Sequence, residues 1–188
     1  MNFKHILIFT IAIISSFQVA AWGNPFFKPY SHNGHHWPEV QDYLASNQQV
    51  KIIREVSQQI DARRNWQPSI DLNPGDSVRI SASGHWNTNP DSYASHGPEG
   101  PRNGYTASGH YALPGAKEGS LIARIGNGRP FVVNRSTSFT ANKSGTLLFV
   151  INDDIYQRNG AGLLDNKGAV EARIEVTRLS NRPRNHYR

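Results

Sequence analysis

Two short polar clusters near the C-terminal end carry the residue types best suited to chemistry: Asn152-Asp153-Asp154 and Asp165-Asn166, with Gly168 just beyond. Each borders a run that reads as a strand. Leu147, Phe149 and Ile151 alternate before the first cluster, and Val170, Ala172, Ile174 and Val176 alternate after the second. This patterning predicts a carboxylate- and amide-rich loop between two neighbouring strands, with oxygen donors facing each other across it. Oxygen-only donors suit a hard cation, above all Ca²⁺, which takes about six to eight of them in flexible geometry. A calcium with open coordination positions can bind the vicinal hydroxyls of a sugar. Asn, Asp and Gly are equally the common formers of a polar turn, and the spacing matches no EF-hand loop.

The elements that must position these clusters read as short strands. From Val50 onward apolar residues recur with period two. Ile60 and Ala62 lead to Trp66, Ile70 and Leu72 precede the turn Asn73-Pro74-Gly75-Asp76, and Val78, Ile80 and Ala82 follow. Further strands are marked by Leu121, Ala123 and Ile125, by Phe131 and Val133, by Phe139 and Ala141, and by Thr146 to Ile151. Strands separated by Gly, Pro, Asn and Ser turns predict an all-β fold, an antiparallel β-sandwich spanning residues 50–179. The run 146–151 is apolar on both faces, which predicts a buried central strand. Trp66 and Trp86 read as core or core-edge residues.

Between Gly84 and Gly119 no alternation is sustained. Pro90, Pro98, Pro101 and Pro114 stiffen this stretch, and Tyr93, His96, Tyr105, His110 and Tyr111 punctuate it. Long irregular segments in compact domains are functional or disordered, and proline with aromatics favours an ordered binding loop.

The remaining segments are a leader, a short helix and a tail. Residues 1–21 read as a secretory signal: Lys4 supplies the positive start, Ile6–Ile14 an apolar core, and Val19-Ala20-Ala21 the small residues for cleavage. Segment 22–49 holds His32, His35 and His36, which form no metal-ligand pattern with carboxylates or cysteines. Within it Pro38 opens a short helix with Val40, Tyr43 and Leu44 on one face, ending near Ser46-Asn47. Residues 180–188 form a basic tail, where Arg182, Arg184 and Arg188 follow Arg178 with no acid after Glu175. The formal net charge of +6 and these arginines allow weak attraction to anionic surfaces. No aromatics interleave with the basic residues, which argues against a nucleic-acid platform. The absence of cysteine removes disulfides and lipoprotein anchoring.

An ordered set of residues runs through the chain: Trp66-Gln67, Ile70, Leu72, Gly75-Asp76, Val78, Ile80, Ala82-Ser83-Gly84 and Trp86; then Gly97-Pro98-Glu99-Gly100 and Gly119 through Gly126; then Ser144-Gly145-Thr146-Leu147, Asn152-Asp153 and Asp165-Asn166-Lys167-Gly168. Across residues 52–178 this set resembles the family of the PA-I galactophilic lectin, calcium-dependent galactose-binding sandwiches of bacteria. The resemblance implies that Asp153, Asp165 and Asn166 ligate calcium, together with backbone carbonyls. It implies that Asp153 and Asp165 also receive sugar hydroxyls, with His96, Tyr105 and His110 the nearest candidates by type for further sugar contacts. The segment 155–164 and the loop after Trp86 are longer than in the galactose-binding prototype. Homo-oligomerisation would serve such a lectin, because linked weak sites raise avidity.

Two other classes compete with the lectin. A glycosidase would need paired carboxylates at defined separation, but Asp beside Asn suits ligation better than general acid work, and no Gly-x-Ser-x-Gly elbow occurs. An interaction or structural sandwich without sugar binding is the alternative to the lectin.

Overall fold

The computed structural model describes residues 9–13, 49–89, 91, 94–158 and 160–181, with side chains described from residue 53 to residue 179 of these. The helix expected from Pro38, the leader histidines and the tail arginines beyond Asn181 lie outside the described residues. Nine strands follow in chain order: β1 Phe9–Ile13, β2 Gln49–Asp61, β3 Gln67–Leu72, β4 Ser77–Asn87, β5 Leu121–Ile125, β6 Phe131–Val132, β7 Ser136–Thr140, β8 Gly145–Ile151 and β9 Lys167–Asn181. A single 3₁₀ turn, Gly162–Leu164, is the one helical element among the described residues. No helix there is long and apolar enough to cross a membrane.

The strands form two antiparallel sheets, ordered β1-β2-β9-β4-β7 and β3-β8-β5-β6. β1 lies inside the apolar run read as the signal core, where it pairs with β2 from Phe9↔Glu55 to Ile13↔Lys51. The inner faces meet in one core cluster. Val56 and Ile60 of β2, Val78, Ile80 and Trp86 of β4, and Val170, Ile174 and Val176 of β9 come from one side; Leu72, Leu121, Leu147, Phe149 and Ile151 come from the other. Alternation in β4 and β9 sends Arg79, Ser81, Glu171 and Arg173 outward and keeps the apolar set inside, as a sandwich requires. Small residues sit opposite large ones within a sheet, as with Ala123 across from Phe149, which lets the layers interdigitate.

Alternation around segment 152–166 predicts two neighbouring strands. β8 and β9 are not neighbours. They belong to different sheets, so segment 152–166 crosses from one layer to the other instead of closing a hairpin. Each strand already has two partners: β3 and β5 flank β8, and β2 and β4 flank β9. The two-sided apolar run of β8 is explained by a second, smaller cluster. Val150 and Ile122 face outward and are covered by Ala112, with Leu113, Ala116, Trp66 and Ile155 packed around it. Leu148 is only half-buried, and β5 is buried at every position but Arg124. Trp86 is fully buried, whereas Trp66 lies at the edge with the Arg124 guanidinium 4.1 Å above its ring.

One end of the sandwich is locked by Asp76, fully buried in the β3–β4 turn. Its carboxylate accepts from Arg54 of β2 at 2.9 Å, from two nitrogens of Arg178 of β9, and from the Asn73 backbone N–H at 2.9 Å. Burial pushes this carboxyl up, but the Arg178 and Asn73 hydrogen bonds and both arginine charges bring it below the ordinary 3.8. A carboxyl lowered on folding contributes stability above pH 3.8, and that contribution is lost as pH falls through the lower folded value. Asp76→Ala should therefore cost about 2–4 kcal/mol in denaturant unfolding at pH 7. That difference should shrink as the same measurement is repeated at pH falling below 3.8. Glu55→Ala removes only the exposed pair with Arg173 and should cost no more than about 0.5 kcal/mol.

Candidate functional site

At the opposite end of the sandwich, the chain leaves β8 through Asn152, which is completely buried. Its side chain accepts from the Leu113 N–H at 2.9 Å and donates to the carbonyls of Leu113 and Lys117 at 3.1 and 3.0 Å. Its backbone bonds Ser120 and Gly119, each at 2.8 Å. One amide thereby fastens the long irregular loop to the end of β8. That loop is ordered by isolated bridges, among them Trp86↔His96, Thr106↔Lys117 and Tyr111↔Asp154.

Asp153 follows, 5% exposed. Its Oδ1 accepts from the Asp154 N–H at 2.6 Å, while its Oδ2 is buried without a partner. Burial pushes this carboxyl above 3.8, and the charges of Asp165 and Asp154 push the same way, against hydrogen bonds from the Asp154 backbone and the Asn166 amide. Asn166, 1% exposed, donates to the Ala62 carbonyl at 3.0 Å, and its Oδ1 is also buried and unpartnered. Asp165 is exposed at the end of the 3₁₀ turn. The phasing of this segment depends on Gly168, which stands opposite Trp86 with φ at +87°. A Cβ there would come within 2.6 Å of the His85 carbonyl oxygen, so only glycine lets β9 start beside β4.

A second buried acid joins Asp153 here. Glu118 is 4% exposed with Oε2 unpartnered. Burial raises its pKa above 4.5, the Asp153 charge raises it further, and hydrogen bonding with Tyr105 opposes them. The Tyr105 hydroxyl also meets that of Tyr111, whose ring it contacts edge-on with centroids 6.1 Å apart. Burial raises both phenols, and the Glu118 and Asp153 charges add to it. Residue type and spacing did not single out Glu118. Its one signal is that it is the sole acid between Glu99 and Asp153.

The structure thus brings Asp153, Asn166, Glu118, Tyr105 and Tyr111 together, with Asp165 close enough for its charge to act on Asp153. His110 joins at the margin: its ring lies 5.9 Å from that of Tyr111, and Ser108 contacts its Nε2 at 3.2 Å. His96 does not join. It is buried under the loop with Nδ1 3.1 Å from the Gly97 carbonyl, and its electrostatic neighbours are Glu99, His85 and Lys117. Asp154 is no spare acid either. It is 3% exposed, and its Oδ1 accepts the Tyr156 N–H at 3.0 Å, holding the turn.

Among the described residues no three His, Cys, Asp or Glu side chains converge as a metal cage. A cation held here would therefore draw on amide and carbonyl oxygens as well as carboxylates. The orphaned Asp153 Oδ2 and Asn166 Oδ1 are of the right hard-oxygen type for calcium.

No protein-family model matches the chain, and no curated protein matches it. Among solved structures it is similar to the EclA N-terminal domain, described as a PllA-like lectin, at 24% identity and a TM-score of 0.47. That similarity covers 64% of this chain and 94% of the other.

The two adjacent aspartates should separate cleanly in chelated protein. Asp153 has its pKa raised on folding, so its charge costs stability as pH rises above 3.8 and the cost persists at neutral pH. Asp153→Asn should raise the melting temperature in EDTA at pH 7, and the gain should shrink toward pH 3. Asp154→Ala removes a buried acceptor and should lower stability by about 1–2 kcal/mol at either pH. Differential scanning calorimetry of both variants checks the assignment.

Proposed function

We propose that this chain is a secreted, calcium-dependent carbohydrate-binding protein for galactose-type glycans. One observation carries the reading: three buried oxygens without partners, on Asp153, Asn166 and Glu118, gather at one end of the sandwich beside two tyrosine hydroxyls. Native proteins rarely bury polar atoms unpaired, and doing so for three neighbouring oxygens costs stability unless a ligand satisfies them. Asp153, Asp165 and Asn166 would hold the cation, as the lectin resemblance implies. Bound there, calcium supplies positive charge and open coordination positions for vicinal hydroxyls.

The protein's own groups would do the rest. Charged acceptors bind hydroxyls strongly, so Asp153 and Glu118 can each take a sugar O–H. Tyr105, 48% exposed, offers a ring face to the apolar side of a pyranose and a hydroxyl to its polar side. Asn152 would keep this loop in place through its bonds to Leu113 and Lys117. Secretion is supported by the signal-like first 21 residues. The mutually repelling acids around Asp153 would suit ligation of a cation better than proton transfer.

A calcium-bridged monosaccharide buries little surface, so a single site should bind with a dissociation constant of about 10⁻⁵ to 10⁻³ M. Calorimetric titration of methyl galactoside should give saturable binding in millimolar calcium and none in EDTA. Calcium at a hundred times its dissociation constant should stabilise the fold by about 2.7 kcal/mol, far more than magnesium does. Asp153→Ala should lose calcium and sugar together. Glu118→Gln should keep calcium and weaken the sugar at least threefold. Release of free galactose would replace this reading with a hydrolase. Silence toward calcium and every glycan tested would leave a structural or interaction sandwich.

A further inference from the structure

Away from this site, the sandwich is open along one flank, where the edge strands β6 and β7 end their respective sheets. A cleft of about 460 Å³ lies there, within the range of small-molecule sites. Phe131 of β6 and Phe139 of β7 meet across it edge-to-face, with centroids 5.1 Å apart, and both pack on the core beside Ile125. Val132, Thr137, Thr140 and Asn142 share the lining, and Arg129 and Lys143 border it as exposed side chains. No Asp or Glu lines the cleft, and neither cation forms an ion pair among the described residues.

These features select an occupant. An apolar interior with two unpaired cations at its surface complements a molecule with an apolar body and one negative end. A neutral sugar could bond Thr137, Thr140 or Asn142 but would leave both cations unanswered, whereas a carboxylate answers them. An added strand is a poor fit too, because β6 has two residues, Pro130 precedes it, and β7 has five. We propose that this flank is a second binding site, independent of the calcium loop, for a free acyl carboxylate. Its chain lies against Phe131 and Phe139, and its carboxylate is held by Arg129 and Lys143.

The test is titration calorimetry in EDTA with decanoate and with uncharged 1-decanol. The wild-type chain should bind decanoate saturably at one site, and more tightly than decanol. The surface double variant Arg129→Glu, Lys143→Glu should weaken decanoate roughly tenfold, the sum expected of two exposed ion pairs, and leave decanol unchanged. Phe139→Ala should weaken both ligands, while Asp153→Ala should alter neither, which separates this site from the lectin reading. Unsaturable decanoate binding, equal affinity for decanol, or full affinity in the charge-reversed variant would each overturn the proposal.

Discussion

The candidate site depends on one buried side chain, Asn152. An irregular loop laid over the outer face of a sheet must cover apolar residues and still satisfy its own peptide groups. Here the loop covers Val150 and Ile122, and Asn152 answers backbone groups at Leu113 and Lys117 that no strand can reach. The backbone of Asn152 then positions Gly119, whose carbonyl receives the Trp86 indole N–H at 2.9 Å. Core, loop and the neighbouring Glu118 and Asp153 are thereby tied to one point. An aspartate of the same shape would lack the two N–H donors that reach both carbonyls.

The two ends of the sandwich treat a buried carboxylate in opposite ways. Asp76 has two arginines and a backbone N–H around it, and its pKa falls despite burial. Asp153 has one backbone donor and the Asn166 amide beside it, other acids nearby, and its pKa rises. The first arrangement joins β2, β9 and the β3–β4 turn and serves stability. The second leaves oxygens unsatisfied where the loop could admit a ligand. Structural consistency that fails locally, with the cost carried by a well-packed remainder, is what binding sites commonly show. The open flank at Phe131 and Phe139 is a milder case, because apolar surface left at an edge costs less than orphaned charge.

Much of this fold was legible in the chain. Period-two alternation in β4 and β9 reports a sheet with one face inward, and the physics of burial leaves little choice about which face that is. Gly168 was visible as a turn former next to Asp165-Asn166. The apolar run Ile6–Ile14 shows the limit of such reading, since a short apolar segment suits a signal core and an edge strand equally. The residues of the site were only partly legible. Asp153 and Asn166 stood out by type, but Glu118 was a lone acid between Lys117 and Gly119, and His96 looked as promising as His110.

What the amino-acid sequence determined alone was local: strand phase, turn positions, the all-β class and the supply of oxygen donors. Only tertiary structure decided that β8 and β9 enter opposite sheets, that the Asn152 side chain fastens the long loop, and that Glu118 faces the Asp153 charge. The reason is physical. Alternation and turn chemistry act between near neighbours in the chain, whereas a carboxylate's burial, partners and pKa depend on groups brought close by packing from distant positions, as Glu118 and Asp153 are.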